Sequence, residues 1–261
     1  MGKITSALKK AAEERLNRIE KITQIQERDQ LIITKMHNSR VHPSIITYFD
    51  PKALISEQYK ILRTNLLSIN KGKPPKAIVF TSALREEGKT ITSLNLAISL
   101  AQTVHKPKVL LVDADLRRGR VCKYLGVQPA VGLSEILTGK ALVEEALFTL
   151  EIDNLTFVAS GAVPEYPAEL LASEKMQIFL KDMRNRFDHI IIDTPPIIAV
   201  TDAGIIGSQV DGVVMVIQAG RTQRGIIKRA QELLNQAQTK ILGHILTNIE
   251  YHLPEYIFRY L

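Results

Sequence analysis

The chain has 261 residues, a formal net charge of +7 and one cysteine, Cys122. This length suits one α/β domain with extensions, and a single cysteine excludes internal disulfides. No run approaches the roughly 18 apolar residues that span a bilayer, and no secretory signal pattern opens the chain, so we predict a cytoplasmic protein.

Residues 1–40 form a basic extension. Apolar residues recur there every three or four positions, between nine basic and five acidic side chains, which predicts an amphipathic helix. Such a helix suits anionic lipid, nucleic acid or an acidic protein tail, but a solvated helix face explains the charge equally well.

Residues 41–75 are predicted to be a linker followed by a helix over 54–67. Glu57, Lys60 and Arg63 lie three residues apart on that helix. This spacing predicts one charged patch beside the apolar stripe of the helix. The Lys71–Pro75 stretch then interrupts regular structure before the first core strand.

Residues 76–248 are predicted to form a mostly parallel sheet flanked by helices. Apolar segments alternate with amphipathic ones, as is typical of a sheet covered on both faces. The predicted strands lie near 77–81, 109–113, 155–159, 189–193, 213–218 and 241–247, and the predicted helices near 90–104, 168–186 and 224–238.

A phosphate-binding loop is predicted between the first of these strands and the helix after it. The loop closes on Gly88, Lys89 and Thr90, so that backbone N–H groups and a helix N-terminus face an anion. Lys89 would reach the outer phosphates and the Thr90 hydroxyl would bind Mg²⁺. The predicted nucleotide-binding residues are Arg85, Glu86, Glu87, Gly88, Lys89, Thr90 and Ile91, with Asn248 as a weaker candidate for contacting adenine.

Carboxylates follow two other predicted strands. Asp113 and Asp115 stand at the end of one strand, and Asp193 ends another, just before Thr194 and two prolines. The carboxyl ends of parallel strands meet at one edge of a sheet, and carboxylate oxygens suit Mg²⁺. The sequence therefore predicts a site for nucleotide hydrolysis or phosphoryl transfer.

The final segment, residues 249–261, holds Tyr251, Tyr256 and Tyr260, three of the seven tyrosines of the chain. Pro254 interrupts helix formation there. An exposed or docked arm and a core-packing aromatic cluster are both compatible with this segment.

Together these motifs resemble the cytoplasmic kinase domains of bacterial tyrosine kinases (BY-kinases), which accompany capsule and exopolysaccharide export. The likeness covers roughly residues 50–261. It rests on TSALREEGKT, VDADLRRG, PEYPAELLASEKM and IIIDTPP, and on the tyrosine-bearing C-terminus.

The resemblance implies a P-loop NTPase fold and an ATP- and Mg²⁺-dependent autokinase that phosphorylates Tyr251, Tyr256 and Tyr260 in another copy. By the family pattern Lys89 holds the β- and γ-phosphates, and Thr90, Asp115 and Asp193 surround the metal. Asp113 accepts the tyrosine proton, which makes Lys89, Asp113 and Asp115 the catalytic residues. Glu57, Lys60 and Arg63 correspond to a ring-forming motif.

The resemblance also implies partners. They are a homo-oligomer, a separate membrane adaptor that recruits the kinase to the inner face of the membrane, and a cognate tyrosine phosphatase; no specific nucleic acid is expected. The chain departs from the family at Arg85 and Glu86, where Pro-Gly is usual, and at Lys60, where Arg is usual.

The alternative is a deviant P-loop ATPase that switches partners, or serves as a scaffold, without phosphorylating tyrosine. Its hallmark is a lysine at the position of Leu84, within a Lys-Gly-Gly start, and this sequence lacks all three residues.

Overall fold

The computed structural model describes residues 34–35, 41–69, 74–149 and 152–249. The chain divides between Ile33 and Thr34, and all described residues lie in the second unit. Of the predicted helix of residues 1–40 the structure describes only Thr34 and Lys35, which form a strand instead, and the tail tyrosines lie outside the described residues.

Within the described residues, eight strands form one sheet. They are β1 (Thr34–Lys35), β2 (Ala77–Ser82), β3 (Val109–Asp113), β4 (Phe148–Thr149), β5 (Leu155–Val158), β6 (His189–Asp193), β7 (Gly212–Gln218) and β8 (Ile241–Thr247). Their order is β1-β4-β5-β3-β6-β2-β7-β8, and of these eight strands only β4 and β5 pair antiparallel. The mostly parallel sheet is confirmed, and the six predicted strands begin and end within one residue of their predicted limits.

Nine helices accompany the described strands. They are α1 (Ile46–Phe49), α2 (Leu54–Ser68), α3 (Lys89–Ala101), α4 (Val121–Leu125), α5 (Leu133–Thr138), α6 (Pro167–Ala172), α7 (Glu174–Arg186), α8 (Asp202–Gly207) and α9 (Arg224–Gln236), with one 3₁₀ turn at Glu144–Ala146. Among the described helices, none combines the length and the apolar character that a membrane span needs.

The prediction of one helix over 168–186 is wrong. Ser173 has an extended backbone, with φ −70° and ψ 158°, and it ends α6 and precedes α7. Its hydroxyl donates to the carbonyl of Leu170. A serine side chain offers the backbone this local alternative to a continuous helix. The predicted helices over 90–104 and 224–238 are present, but they end at Ala101 and Gln236.

The core lies on both faces of the sheet. Side chains alternate along β2, so Ile78 and Phe80 pack into the cluster that contains the apolar side of α3, whereas Ala77 and Val79 point to the opposite face. All six residues of β2 and all five of β3 are buried. Because both strands are buried on both faces, their carboxyl ends, where the candidate residues lie, are held rigidly.

Candidate active site

The phosphate loop connects β2 to α3. Its backbone has positive φ at Glu86 (64°) and Gly88 (92°), which turns the chain sharply into the helix that starts at Lys89. A Cβ on Gly88 would lie 3.3 Å from Cγ2 of Thr247, so glycine fits both the left-handed conformation and the close approach of β8. The loop thereby leaves the N-terminus of α3 facing the edge of the sheet.

Glu87 braces this loop from inside. Its side chain is buried, and its carboxylate accepts hydrogen bonds from the backbone N–H of Leu84 and Gln218 and from the hydroxyl of Thr222. The Thr247 hydroxyl donates to the Glu87 carbonyl over 2.7 Å. The side chain of Glu87 therefore holds the loop to the end of β7, and the prediction that Glu87 binds nucleotide stays a prediction.

Lys89 and three aspartates converge at the carboxyl ends of β3 and β6. The register pairs Asp113 with Asp193 directly, and Asp115 follows two residues after Asp113. Nζ of Lys89 lies 3.6 Å from Oδ2 of Asp115 and 3.6 Å from Oδ2 of Asp193. One cation therefore faces two carboxylates at the mouth of the phosphate loop.

Thr90 and Asp193 form the deepest contact of the site. The Thr90 hydroxyl donates to Oδ2 of Asp193 over 2.6 Å. Burial raises the pKa of the Asp193 carboxyl, although Lys89 and Thr90 oppose this effect. Its other oxygen, Oδ1, is buried with no hydrogen-bond partner among the described residues. A buried oxygen without a donor costs free energy, so this atom is suited to an added hydrogen-bond donor or cation.

Asp113 lies behind this pair, 1% exposed. Its two oxygens accept the backbone N–H groups of Asp115 (3.2 Å) and Val121 (3.0 Å). Burial, followed by the negative charge of Asp193, raises the pKa of Asp113 to about 8. This geometry supports a role for Asp113 in positioning the Asp115 segment, besides the predicted role as proton acceptor.

A cavity of about 680 Å³ and one of about 410 Å³ are found among the described residues, and the smaller lies at this site. The smaller cavity is lined by Arg85, Glu86, Gly88, Lys89, Thr90, Ile91, Asp115, Arg117, Arg118, Arg120, Tyr124, Pro195, Pro196, Ala199 and Val200. Its volume falls within the range of small-molecule sites.

The cavity brings together most of the predicted site residues, but Glu87, Asp113, Asp193 and Asn248 are absent from its described lining. Asp193 contacts the site from behind through Thr90. Asn248 follows β8 with φ 53°. Eight lining residues are not among the predicted site residues, although the basic run after Asp115 was a usable signal for three of them; the eight are Arg117, Arg118, Arg120, Tyr124, Pro195, Pro196, Ala199 and Val200.

The guanidinium of Arg117 is bound by another side chain of the protein and is not free to bind a ligand. Its guanidinium donates two hydrogen bonds, of 3.0 and 3.2 Å, to the fully buried carboxylate of Asp202. This pairing fixes the segment after Asp115 against α8.

The predicted charged patch on α2 is only partly formed. Lys60 pairs with Glu57 over 2.7 Å on the exposed side. Arg63 instead donates to the carbonyl of Ser99 over 2.5 Å, near the C-terminal end of α3, where carbonyls lack helical partners and attract cations. The i, i+3, i+6 spacing therefore places two charges on the surface and the third against α3.

Comparisons with known proteins agree with this site. A family model described as an AAA domain matches residues 76–245. The tyrosine-protein kinase YwqD of Bacillus subtilis is 38% identical over 216 residues, covering 83% of this chain and 90% of that protein. The tyrosine-protein kinase CpsD of Streptococcus agalactiae is 38% identical over 201 residues, covering 77% of this chain and 86% of that protein.

A solved structure shows the same fold. The kinase domain of the Escherichia coli tyrosine kinase ETK superposes with a TM-score of 0.75 at 29% identity, covering 84% of this chain and 86% of that one. The resemblance to BY-kinases and the P-loop NTPase fold are confirmed, and the site is a nucleotide-binding site. Since this chain is 38% identical to two tyrosine-protein kinases over most of their length, it belongs to the family of bacterial tyrosine-protein kinases.

Proposed function

We propose that the site transfers the γ-phosphoryl group of Mg²⁺-bound ATP to Tyr251, Tyr256 and Tyr260 of another copy of the chain. The observation that carries this proposal is the convergence of Lys89, Asp115 and Asp193 at the mouth of a phosphate loop, beside an open cavity. Phosphoryl transfer depends on positioning and charge stabilisation more than on covalent chemistry, and these residues supply both.

The residues present fit a magnesium ion. Thr90, Asp115 and Asp193 would hold it, and the unpartnered Oδ1 of Asp193 is a suitable oxygen. Within the described residues no three His, Cys, Asp or Glu side chains are placed to hold a metal by themselves. Phosphate oxygens would complete the ligand set, as is common for Mg²⁺. When bound, the ion supplies positive charge to the phosphate oxygens.

Lys89 supplies the protein's own cation. It lies between two carboxylates, and its ammonium can turn toward the β- and γ-phosphates of a bound nucleotide. Asp113→Asn separates the two roles considered for Asp113. Loss of transfer with ATP binding spared supports proton acceptance, whereas equal losses of both support positioning.

The path of the chain supports the tail as acceptor. Thr247, at the end of β8, contacts the phosphate loop through the Glu87 carbonyl, and residues 249–261 follow directly. Among the four described tyrosines only Tyr166 is exposed. We infer transfer between copies because a short arm reaches the site of a neighbouring copy more easily when the copies form a ring.

The biological setting is part of the proposal. By the family resemblance, the kinase regulates exopolysaccharide or capsule synthesis and export, in a homo-oligomer whose exposed contacts include Glu57 and Lys60. A separate membrane adaptor would recruit it from the cytoplasm to the inner face of the membrane, and a cognate phosphatase would reverse the modification.

The test is incubation of the purified chain with ATP and Mg²⁺, followed by mapping of phosphate by mass spectrometry. Wild-type protein is expected to label its tail, and the triple change Y251F/Y256F/Y260F should remove most of the label while ATP binding persists. Labelling of catalytically inactive Lys89→Ala protein by the triple-Phe protein demonstrates transfer between copies. ATP hydrolysis without any labelled tyrosine would instead identify a partner-switching ATPase.

A further inference from the structure

Three arginines at the mouth of the cavity have no carboxylate partner. Arg85, Arg118 and Arg120 all line the cavity and are exposed. None of the three forms an ion pair within the described residues, in contrast to Arg117 with its bidentate bond to Asp202. Three unneutralised guanidinium groups together create a positive potential at the entrance to the site.

The tyrosines of the chain show a matching pattern. Glutamate directly precedes Tyr166, Tyr251 and Tyr256, whereas Arg259 precedes Tyr260. The first of these tyrosines lies in the described region and is 59% exposed. The other described tyrosines are half-buried and follow Thr, Gln or Lys.

We propose that Arg85, Arg118 and Arg120 select acceptor tyrosines that follow a glutamate, so that Tyr251, Tyr256 and Tyr166 are acceptors and Tyr260 is a poor one. This inference rests on the proposed kinase function and specifies its substrate class. It adds Tyr166 as a modification site, and within the tail it makes Tyr251 and Tyr256 the preferred acceptors.

The geometry of a peptide chain supports the selection. Consecutive Cα atoms are about 3.8 Å apart, so a tyrosine ring inserted toward Lys89 leaves the preceding carboxylate at the mouth of the cavity. Guanidinium groups bind carboxylates through paired, charge-assisted hydrogen bonds. An arginine at the preceding position, as at Tyr260, would meet the same three cations and be repelled.

The reaction itself is ordinary phosphoryl transfer. Oη of the tyrosine forms a bond to the γ-phosphorus of ATP, and the bond from that phosphorus to the bridging oxygen of the β-phosphate breaks. ADP leaves with the electron pair of that bond, and the phenolic proton passes to a carboxylate of the site or to water. The arginines take no part in bond making and act only by orienting the acceptor.

The first experiment uses a synthetic peptide of residues 249–261 with Tyr256 as its only tyrosine, and full-length enzyme with its three tail tyrosines changed to Phe. Glu255→Gln in the peptide should raise its KM about three- to tenfold. Arg118→Gln with Arg120→Gln in the enzyme, assayed at saturating ATP, should do the same. Arg224→Gln, an exposed arginine outside the cavity, is the matched control.

A double-mutant cycle decides the assignment. If the arginines contact the glutamate, the KM of the Gln peptide should be nearly the same on the Arg118→Gln, Arg120→Gln enzyme as on the wild type, because the contact is already lost. If the change in the peptide and the change in the enzyme each raise KM by the same factor whether or not the other is present, the proposal is overturned. Absence of phosphate on every peptide would instead reject the kinase function, so the two failures are distinguishable.

The second experiment maps phosphate on the full-length chain. Tyr251, Tyr256 and Tyr166 should label more strongly than Tyr260, and Arg259→Glu should increase the label at Tyr260. Glu165→Gln should decrease the label at Tyr166. Preferential labelling of Tyr260 in the wild type would overturn the selection rule, and an unlabelled Tyr166 would overturn its assignment as a site.

Discussion

Thr90 and Asp193, 103 positions apart in the chain, meet through a 2.6 Å hydrogen bond at the carboxyl edge of the sheet. The bond joins the first turn of α3 to the end of β6 and completes the group around Lys89. It orients the hydroxyl and carboxylate that we propose as magnesium ligands.

We predict that Asp193→Asn raises the Mg²⁺ concentration needed for half-maximal phosphorylation by at least tenfold. The amide removes negative charge and one metal-binding oxygen, although it keeps the side-chain shape. A Mg²⁺ titration at saturating ATP measures this. An unchanged midpoint would show that Asp193 does not hold the metal.

Lys89→Ala should abolish phosphorylation while the folded structure persists. The ammonium lies 3.6 Å from each of its two carboxylates, which is too long for a strong direct bond, so its loss is mainly a loss of phosphate binding. Radiolabel incorporation tests the loss of phosphorylation, and thermal unfolding tests whether the folded structure persists. Phosphate incorporation at the wild-type rate would exclude Lys89 from the reaction.

Glu87→Gln should weaken nucleotide binding, although its side chain is not among those that line the cavity of about 410 Å³. Its carboxylate accepts from two backbone N–H groups and one hydroxyl, and an amide NH₂ would face donors instead, at a cost of about 1–3 kcal/mol. Glu174→Gln, at an exposed residue outside the cavity, is the control. Equal ATP affinities for the two variants by calorimetry would mean that the loop does not depend on this brace.

Arg63→Ala and the pair Glu57→Ala, Lys60→Ala should have different effects. Loss of the Arg63 bond to the Ser99 carbonyl should destabilise the fold by about 1 kcal/mol. The exposed Glu57–Lys60 pair adds little stability, so its loss should act on assembly. Denaturant unfolding and light scattering separate these outcomes; a double alanine variant with unchanged mass would remove these residues from the oligomer contact.

Because of Asp211, the free energy of unfolding should fall as the pH is lowered into the acid range. Partial burial alone would raise the pKa of its carboxyl, but hydrogen bonds from Arg184 and from the backbone N–H groups of Ala77 and Lys76 hold that pKa below its usual range. The folded protein therefore binds this proton less readily than the unfolded chain. The stabilisation is present above a pH of about 4 and is lost as pH falls through the folded pKa.

The matching variant is Asp211→Asn. At pH 7 it should be less stable by about 1 kcal/mol, a figure reduced for the partial exposure of the ion pair. Its deficit relative to wild type should shrink below pH 4. Urea unfolding at several pH values measures this, and a constant deficit from pH 7 to 3 would contradict the assignment.

The sequence by itself predicted six of the eight described strands and the phosphate loop, and it missed the two-residue strands β1 and β4. Short apolar runs such as Ala77–Phe80 are typical of strands buried on both faces, and the loop ending in Gly88, Lys89 and Thr90 requires a following helix to present its N–H groups. Local pattern also identified Asp113, Asp115 and Asp193, because each stands where a strand ends.

Only the tertiary structure decided which partners the polar side chains around the site and on α2 contact. Glu87 turns inward because β7 brings it the backbone N–H of Gln218 from 131 positions away. Arg63 leaves its predicted patch because α3 ends beside it, and Arg117 is occupied by Asp202, 85 positions away. These partners are distant in sequence and become neighbours only when the sheet and helices pack, so no local pattern could show them.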